Sequence, residues 1–336
     1  MDILNGLVML ANFVLIPAMA YGAQLALGAL GVTLIYAILR FSNFAHGDTM
    51  AFGTAITVLA TWGLQAAGVS IAPLPTALLA LPVGIFGATA LVLLTDRAVY
   101  RFYRAQRAKP IYLVIVSMGV MFVYNGLTRF VIGVDSQNFA DGERFLIEPR
   151  QFKAWSGLDQ ALGLRTSTAI TLVVALVVMV ALFRFLNRTR TGKSMRAFSD
   201  NEDLALLSGI NPERVVMITW LIAAALATTA GVLYGLDKSF DPFTYFQLLL
   251  PIFAAAIVGG IGNPVGAIVG GFVIAFSEVL LVYPLGGVLR YLLPEGIEPE
   301  GLLQLLSTDY KFAVSFAILV IVLLFRPTGL FRGQTL

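Results

Sequence analysis

No cysteine occurs in this chain of 336 residues, which excludes disulfides, thiolate nucleophiles and cysteine metal sites. His46 is the single histidine, so no histidine cluster exists to hold a metal, and no second soft ligand lies near it in sequence. The phosphate-binding pattern G-x-x-x-x-G-K-[ST] is missing, which rules out ATP hydrolysis through a P-loop of the chain's own. No paired carboxylates fall inside an apolar stretch, and no periodic ladder of them resembles the ion paths of proton- or sodium-coupled pumps. An intramembrane enzyme therefore has no support, and neither a catalytic residue, a metal nor a cofactor is expected. Charge as a whole is scarce, at 12% of residues.

What fills the chain is hydrophobic, 58% of residues with a mean hydropathy of +0.87, too apolar for a soluble domain. A hydrocarbon core of roughly 30 Å needs about 20 apolar residues per helix. Ten stretches qualify as candidates: Ile3–Ala20, Tyr21–Leu39, Phe44–Leu64, Ile71–Thr95, Ile111–Val134, Thr168–Leu186, Val215–Leu236, Phe246–Gly262, Pro264–Tyr283 and Phe312–Phe325. The fold class is therefore all-α, a polytopic membrane bundle of about eight to ten spans with broken or re-entrant elements, forming one domain over residues 1–336. Asp2 and the absence of Lys or Arg beside it do not fit a cleavable signal peptide, so the first stretch is expected to be retained. Only Asn263 separates the pair around Gly262 and Pro264, which suggests a broken or re-entrant element there. With both termini cytoplasmic, segments 40–43, 96–110, 187–214 and 326–336, plus Arg184 at a helix end, hold 14 of the 22 basic residues, in keeping with the positive-inside rule. The external segments, Asp135–Arg165 and Gly286–Lys311, are too short for independent domains.

One polar insert, 187–214, interrupts the spans and reads as two short capped helices. Ser199 and Glu202 fit a capping box, Leu204 and Leu207 share one helix face, and Gly209 suits a left-handed terminator. Asn211 then caps the next span, with Pro212 at its first position and Glu213 in its first turn. A solvated loop needs no such caps, so the insert is read as a docking element.

Inside the spans, Gly262-x-x-x-Gly266-x-x-x-Gly270 is a small-residue ridge that lets helices approach closely, either as packing or beside a cavity where helices rock. Asn43-Phe-Ala-His46-Gly47-Asp48 lies at a span junction, where the histidine either caps a helix or bonds a carbonyl. Glu278 must face protein or water, as a bond to a neighbouring Ser or Asn or as part of a solute path.

Taken together, N-F-A-H-G (Asn43–Gly47), T-G-K-S-M-R-A-F-S-D-N-E-D-L-A-L-L-S-G-I (Thr191–Ile210), V-G-G-I-G-N-P-V-G-A-I-V-G-G (Val258–Gly271) and F-R-P-T-G-L-F (Phe325–Phe331) resemble the permease subunits of branched-chain amino acid ABC importers. The resemblance spans nearly the whole chain in order. It implies two cytoplasmic ATPase subunits, a second permease subunit that is identical or paralogous, a periplasmic solute-binding protein and surrounding membrane lipid, with no nucleic acid. It also implies the bacterial inner membrane. Thr191–Ile210 becomes the ATPase-coupling element, with Gly192, Arg196, Ala197, Asn201, Ala205, Gly209 and Ile210 as its candidate positions. Asn43, His46, Gly47, Gly262, Asn263, Gly266 and Glu278 become candidates for the translocation path. The competing reading is a stand-alone secondary transporter or channel for small neutral solutes such as urea or amides, which needs no docking surface on the insert.

Overall fold

The structure, a computed structural model, describes residues 2–283, 306–307 and 310–331. Most of the external segment expected at Gly286–Lys311, and residues 332–336, lie outside the described residues. Twelve helices and one two-stranded ribbon are described. They are α1 (Ile3–Leu39), α2 (His46–Ala66), α3 (Ala77–Ala105), α4 (Pro110–Ile132), β1 (Phe145–Ile147), α5 (Pro149–Ser156), β2 (Leu164–Arg165), α6 (Thr166–Arg188), α7 (Arg190–Asp200), α8 (Glu202–Leu207), α9 (Pro212–Lys238), α10 (Pro242–Gly259), α11 (Pro264–Val282) and α12 (Lys311–Phe325). The two strands pair antiparallel. Seven helices (α1, α3, α4, α6, α9, α10 and α11) are long and apolar enough to cross a membrane. Helix α2 has the length but not the hydropathy, and α12 has the hydropathy at 15 residues, so the bundle holds nine elements of span character, within the expected eight to ten.

The first two candidate spans are one helix. Pro17 sits two residues after a π-turn, Ala11–Leu15, which absorbs the extra residue without ending the helix. From Ala20 to Leu39 every residue of α1 is buried, which makes it the central post of the bundle. A helix that is apolar all round must be enclosed all round. Fusing two spans changes the parity of the chain. Asn5 and Asn12 near the start bond Gln160 and Gly163 of the segment before α6, whereas Phe331 near the end bonds Gly259, at the same end as α7. The two ends of the described chain therefore lie at opposite ends of the bundle, not on one side.

Helix α2 shows how a polar stretch reaches the core. Thr49, Thr54, Thr57 and Thr61 each donate their hydroxyl to the carbonyl four residues back, at 2.7–2.8 Å. Their polarity is satisfied inside the helix itself, so hydropathy understates how well α2 tolerates burial. The outer helices do the opposite and present bare apolar side chains, as Phe122 and Phe130 do on α4, the latter 89% exposed. That surface suits hydrocarbon, and the protein is a multi-pass membrane protein.

The suspected break after Gly262 lies between helices. Helix α10 ends at Gly259 and α11 begins at Pro264, joined by the turn 260–263. Gly260 (φ 110°) and Gly262 (φ 87°) supply backbone angles that side chains disfavour, and the Asn263 carboxamide accepts hydrogen bonds from Val265 and Gly266 N–H. Gly262 therefore belongs to the turn, not to a helical ridge. The close approach is carried by Gly259, Gly266 and Gly270, with Gly271 facing α1.

On the face away from the insert, residues 133–144 are pinned by Asp141. Its carboxylate accepts Thr76 N–H and Oγ1–H, both at 2.6 Å, and Gln65 Nε2–H at 3.0 Å. Burial opposes the charge, but these donors outweigh it and hold the pKa below its ordinary 3.8. A depressed folded pKa contributes stability above the unfolded value, and that contribution is lost as pH falls through the folded one. Hydrogen exchange of 133–144, corrected for intrinsic rates, should be flat from about pH 7 to about pH 5 and rise only below about pH 4. Asp141→Asn should remove the acid step; an unchanged step in that variant would contradict the assignment.

Candidate functional site

The insert is built from its caps outward. Thr189 Oγ1 accepts Gly192 N–H (3.0 Å) and donates to Phe185 carbonyl (2.7 Å), turning the chain sharply from α6 into α7. Gly192 is required there, since a Cβ would lie 2.3 Å from the Phe185 carbonyl oxygen. Met195 and Phe198 bury the inner face of α7. Arg40, at the end of α1, donates to the Ser199 carbonyl at 2.5 Å, tying the central post to the insert.

The expected capping box is replaced. Helix α7 runs on through Ser199 to Asp200, and the extended residue is Asn201 (φ −154°, ψ 107°), whose side chain accepts Leu204 N–H at 3.0 Å. Both residues can cap, and the tertiary bond to the Ser199 carbonyl lies inside the longer helix. The other local features are as expected. Gly209 is left-handed at φ 79°, and Asn211 accepts Arg214 N–H at 3.2 Å ahead of Pro212.

On α8 only Ala205 is buried. Leu204 is 61% and Leu207 85% exposed. Leu204 and Leu207, expected to share a face, turn that face to the outside. Arg196, Ala197, Asn201 and Gly209 stand exposed, while Ile210 is half-buried.

Beneath the insert lies a cavity of about 630 Å3. Lys193, Arg196 and Ala197 of α7 line one side, the α1 end (Leu34, Ile38) another, and Gly262 and Asn263 of the α10–α11 turn a third. Two groups singled out separately in the sequence thus share one space. Gly266 lies behind that turn, packed on Gly259.

The remaining candidates sit elsewhere. His46 Nε2 pairs with the Gly28 carbonyl at 3.1 Å, and its ring fills the space over Gly31. Gly47 packs on Tyr245 and Leu249 of α10. Asn43 Oδ1 accepts from Tyr100 OH (3.3 Å), whose ring stacks on Trp220 at 5.3 Å. Trp220 Nε1–H donates to Asp96 (2.7 Å), which also binds Arg104 at 2.5 Å. Asp48 accepts from Asn125 Nδ2 at 2.9 Å.

Glu278 lies about 21 Å along α11 from Pro264, well away from the insert. It is fully buried, takes the Ser315 hydroxyl, and pairs through Oε2 with Lys311 Nζ at 3.7 Å. The Lys311 ammonium also stands 3.7 Å from the centre of the Tyr21 ring. Sequence reading missed Lys311. Its signal was available: a lysine at the start of an apolar run, with a serine one helical turn later.

A family profile described as "Branched-chain amino acid transport system / permease component" matches residues 14–323. The high-affinity branched-chain amino acid transport system permease protein LivH of Salmonella typhimurium is 30% identical over 315 residues, covering 92% of this chain and 91% of its own. The corresponding protein BraD of Pseudomonas aeruginosa is 29% identical, covering 94% of both chains. A fructose import permease protein, FruG, of Bifidobacterium longum matches less well, at 24% over 70% of this chain. With the profile spanning nearly all of the transmembrane bundle, the chain belongs to the family of branched-chain amino acid transport permease components.

Proposed function

We propose that this chain is one of the two permease subunits of an ATP-binding-cassette importer that moves branched-chain or related small amino acids across the bacterial inner membrane. Two separate cytoplasmic subunits hydrolyse the ATP, a periplasmic binding protein delivers the solute, and the second permease is identical or a paralogue. The observation that carries the reading is the insert. It is capped at both helices, tied to α1 through Arg40, and offers Leu204 and Leu207 bare to the outside. Apolar side chains held outward on a rigid polar element mark a partner surface. Branched-chain amino acids are preferred over sugars because LivH and BraD match over nine-tenths of the chain and FruG over less.

In this reading the insert end is cytoplasmic, following its arginines and lysines. The start of α1 then faces outward and Phe331 inward. The space bounded by Gly262, Asn263 and Arg196 opens on the inner end of the solute path. Asn43, His46, Gly47 and Gly266 shape the packing behind it, and Glu278 sits towards the outer end. The permease holds solute weakly and leaves selectivity to the binding protein.

Replacing both leucines by aspartate (Leu204→Asp with Leu207→Asp) should leave insertion and yield unchanged, because neither side chain is packed in the bundle. Solute-stimulated ATP hydrolysis by the assembled complex should fall about tenfold or more, a coupling loss of about 1.4 kcal/mol. Full stimulation in that variant would overturn the docking role. Transport by the permease alone, without ATPase subunits, would favour the stand-alone transporter instead.

A further inference from the structure

A groove opens on the surface of the bundle between α1, α6 and α11, a cavity of about 730 Å3. Its floor is small and buried, Ala23 and Ala175, and its walls are Leu176 and Phe272. Leu176 and Val180 are exposed along its rim, so the groove is open on the side that a bilayer covers. One end differs in kind. There Arg184, Asn187 and Arg188 project, at the end of α6 that leads into the insert. Neither arginine has a carboxylate partner among the described residues.

We propose that this groove binds one anionic phospholipid, with an acyl chain along α6 and the headgroup phosphate on Arg184 and Arg188. The dimensions fit. The rise from Leu172 to Arg184 is about 18 Å, and one leaflet of hydrocarbon is about 15 Å deep. The chemistry fits as well. A groove apolar along its length and doubly cationic at one end complements a molecule that is apolar and anionic in the same order. Guanidinium groups bind phosphate oxygens with paired hydrogen bonds, and a phosphatidylglycerol headgroup brings net negative charge that a phosphatidylcholine headgroup cancels. Thr189, the cap that turns α6 into the insert, follows Arg188 directly, so the bound headgroup lies at the root of α7. The inference needs only the membrane placement and stands or falls apart from the transport reading.

Native mass spectrometry of the full chain, purified in mild detergent, tests it by titration with dioleoyl-phosphatidylglycerol against dioleoyl-phosphatidylcholine. Phosphatidylglycerol should bind about tenfold more tightly. Arg184→Gln with Arg188→Gln should erase that preference, and Leu176→Trp, which fills the groove, should weaken both lipids. All three side chains are exposed, so the variants should elute as the unaltered protein does. Inorganic phosphate should not displace the lipid, because it gains nothing from the apolar walls. Equal affinity for the two lipids, a preference that survives the double arginine variant, or displacement by phosphate would overturn the proposal. So would full disulfide cross-linking of Val180→Cys between two copies in membranes, which the cysteine-free chain makes easy to read and which would give the groove to a partner subunit.

Discussion

Exchanging Gly270 for leucine should abolish recovery of folded protein, whereas the same exchange at Gly119 should be silent. A Cβ at Gly270 would stand 2.0 Å from the Ala255 carbonyl oxygen, and one at Gly259 2.0 Å from the Gly266 carbonyl oxygen. These neighbours are backbone atoms, so no rotamer change relieves the clash and α10 must separate from α11. Ordinary overpacking costs about 1–3 kcal/mol, and prising apart two helices forfeits their packing in addition. A Cβ added at Gly119, on α4, would have nothing within 4 Å among the described residues, so a leucine there points into open space outside the bundle. The measurement is the monodisperse fraction after extraction, with thermal unfolding of whatever is recovered. If Gly270→Leu and Gly119→Leu behave alike, α10 and α11 do not pack at the distance described.

Breaking the Glu278–Lys311 pair should cost more than deleting it. Lys311→Met leaves a buried carboxylate beside the Ser315 hydroxyl with no counter-charge paired to it among the described residues, and the loss of one partner from a buried pair typically costs about 3–5 kcal/mol. Glu278→Gln with Lys311→Met removes both charges and should recover most of that stability. Single substitutions should rank in the order of remaining polarity, Glu278→Gln better tolerated than Glu278→Leu, because the amide still accepts from Ser315. The pair joins α11 to the start of α12, so its loss should show first as detachment of α12. Limited proteolysis near residue 310 and thermal unfolding report this directly. A double variant no more stable than Lys311→Met would mean that Glu278 does not depend on the lysine, and the ion pair would have no energetic role.

The two variant sets separate different forces. Close backbone approach needs small residues and is blind to charge, while the ion pair needs both charges and tolerates no lone one. Neither test touches the insert, so failure of the coupling reading would leave both standing.

What the amino-acid order determined by itself is what depends on neighbours a few residues apart. The membrane class follows from composition. The insert's boundaries, the left-handed Gly209 and the Asn211–Pro212 start of α9 follow from caps, which are satisfied within three or four residues. The family's motifs were likewise legible as strings. What only the tertiary structure decided depends on contacts distant in sequence. Whether Ile3–Leu39 is two spans or one turns on enclosure by α6, α9, α10 and α11, since the sequence around Pro17 permits either. The choice of Asn201 over Ser199 as cap came with Arg40 reaching the Ser199 carbonyl from α1. Glu278 found its counter-charge in Lys311, 33 residues on, across a helix–helix contact that no local pattern encodes. The shared cavity of Arg196 and Asn263 has the same origin, because a cavity exists only between elements and is specified by how their surfaces fail to fill the space.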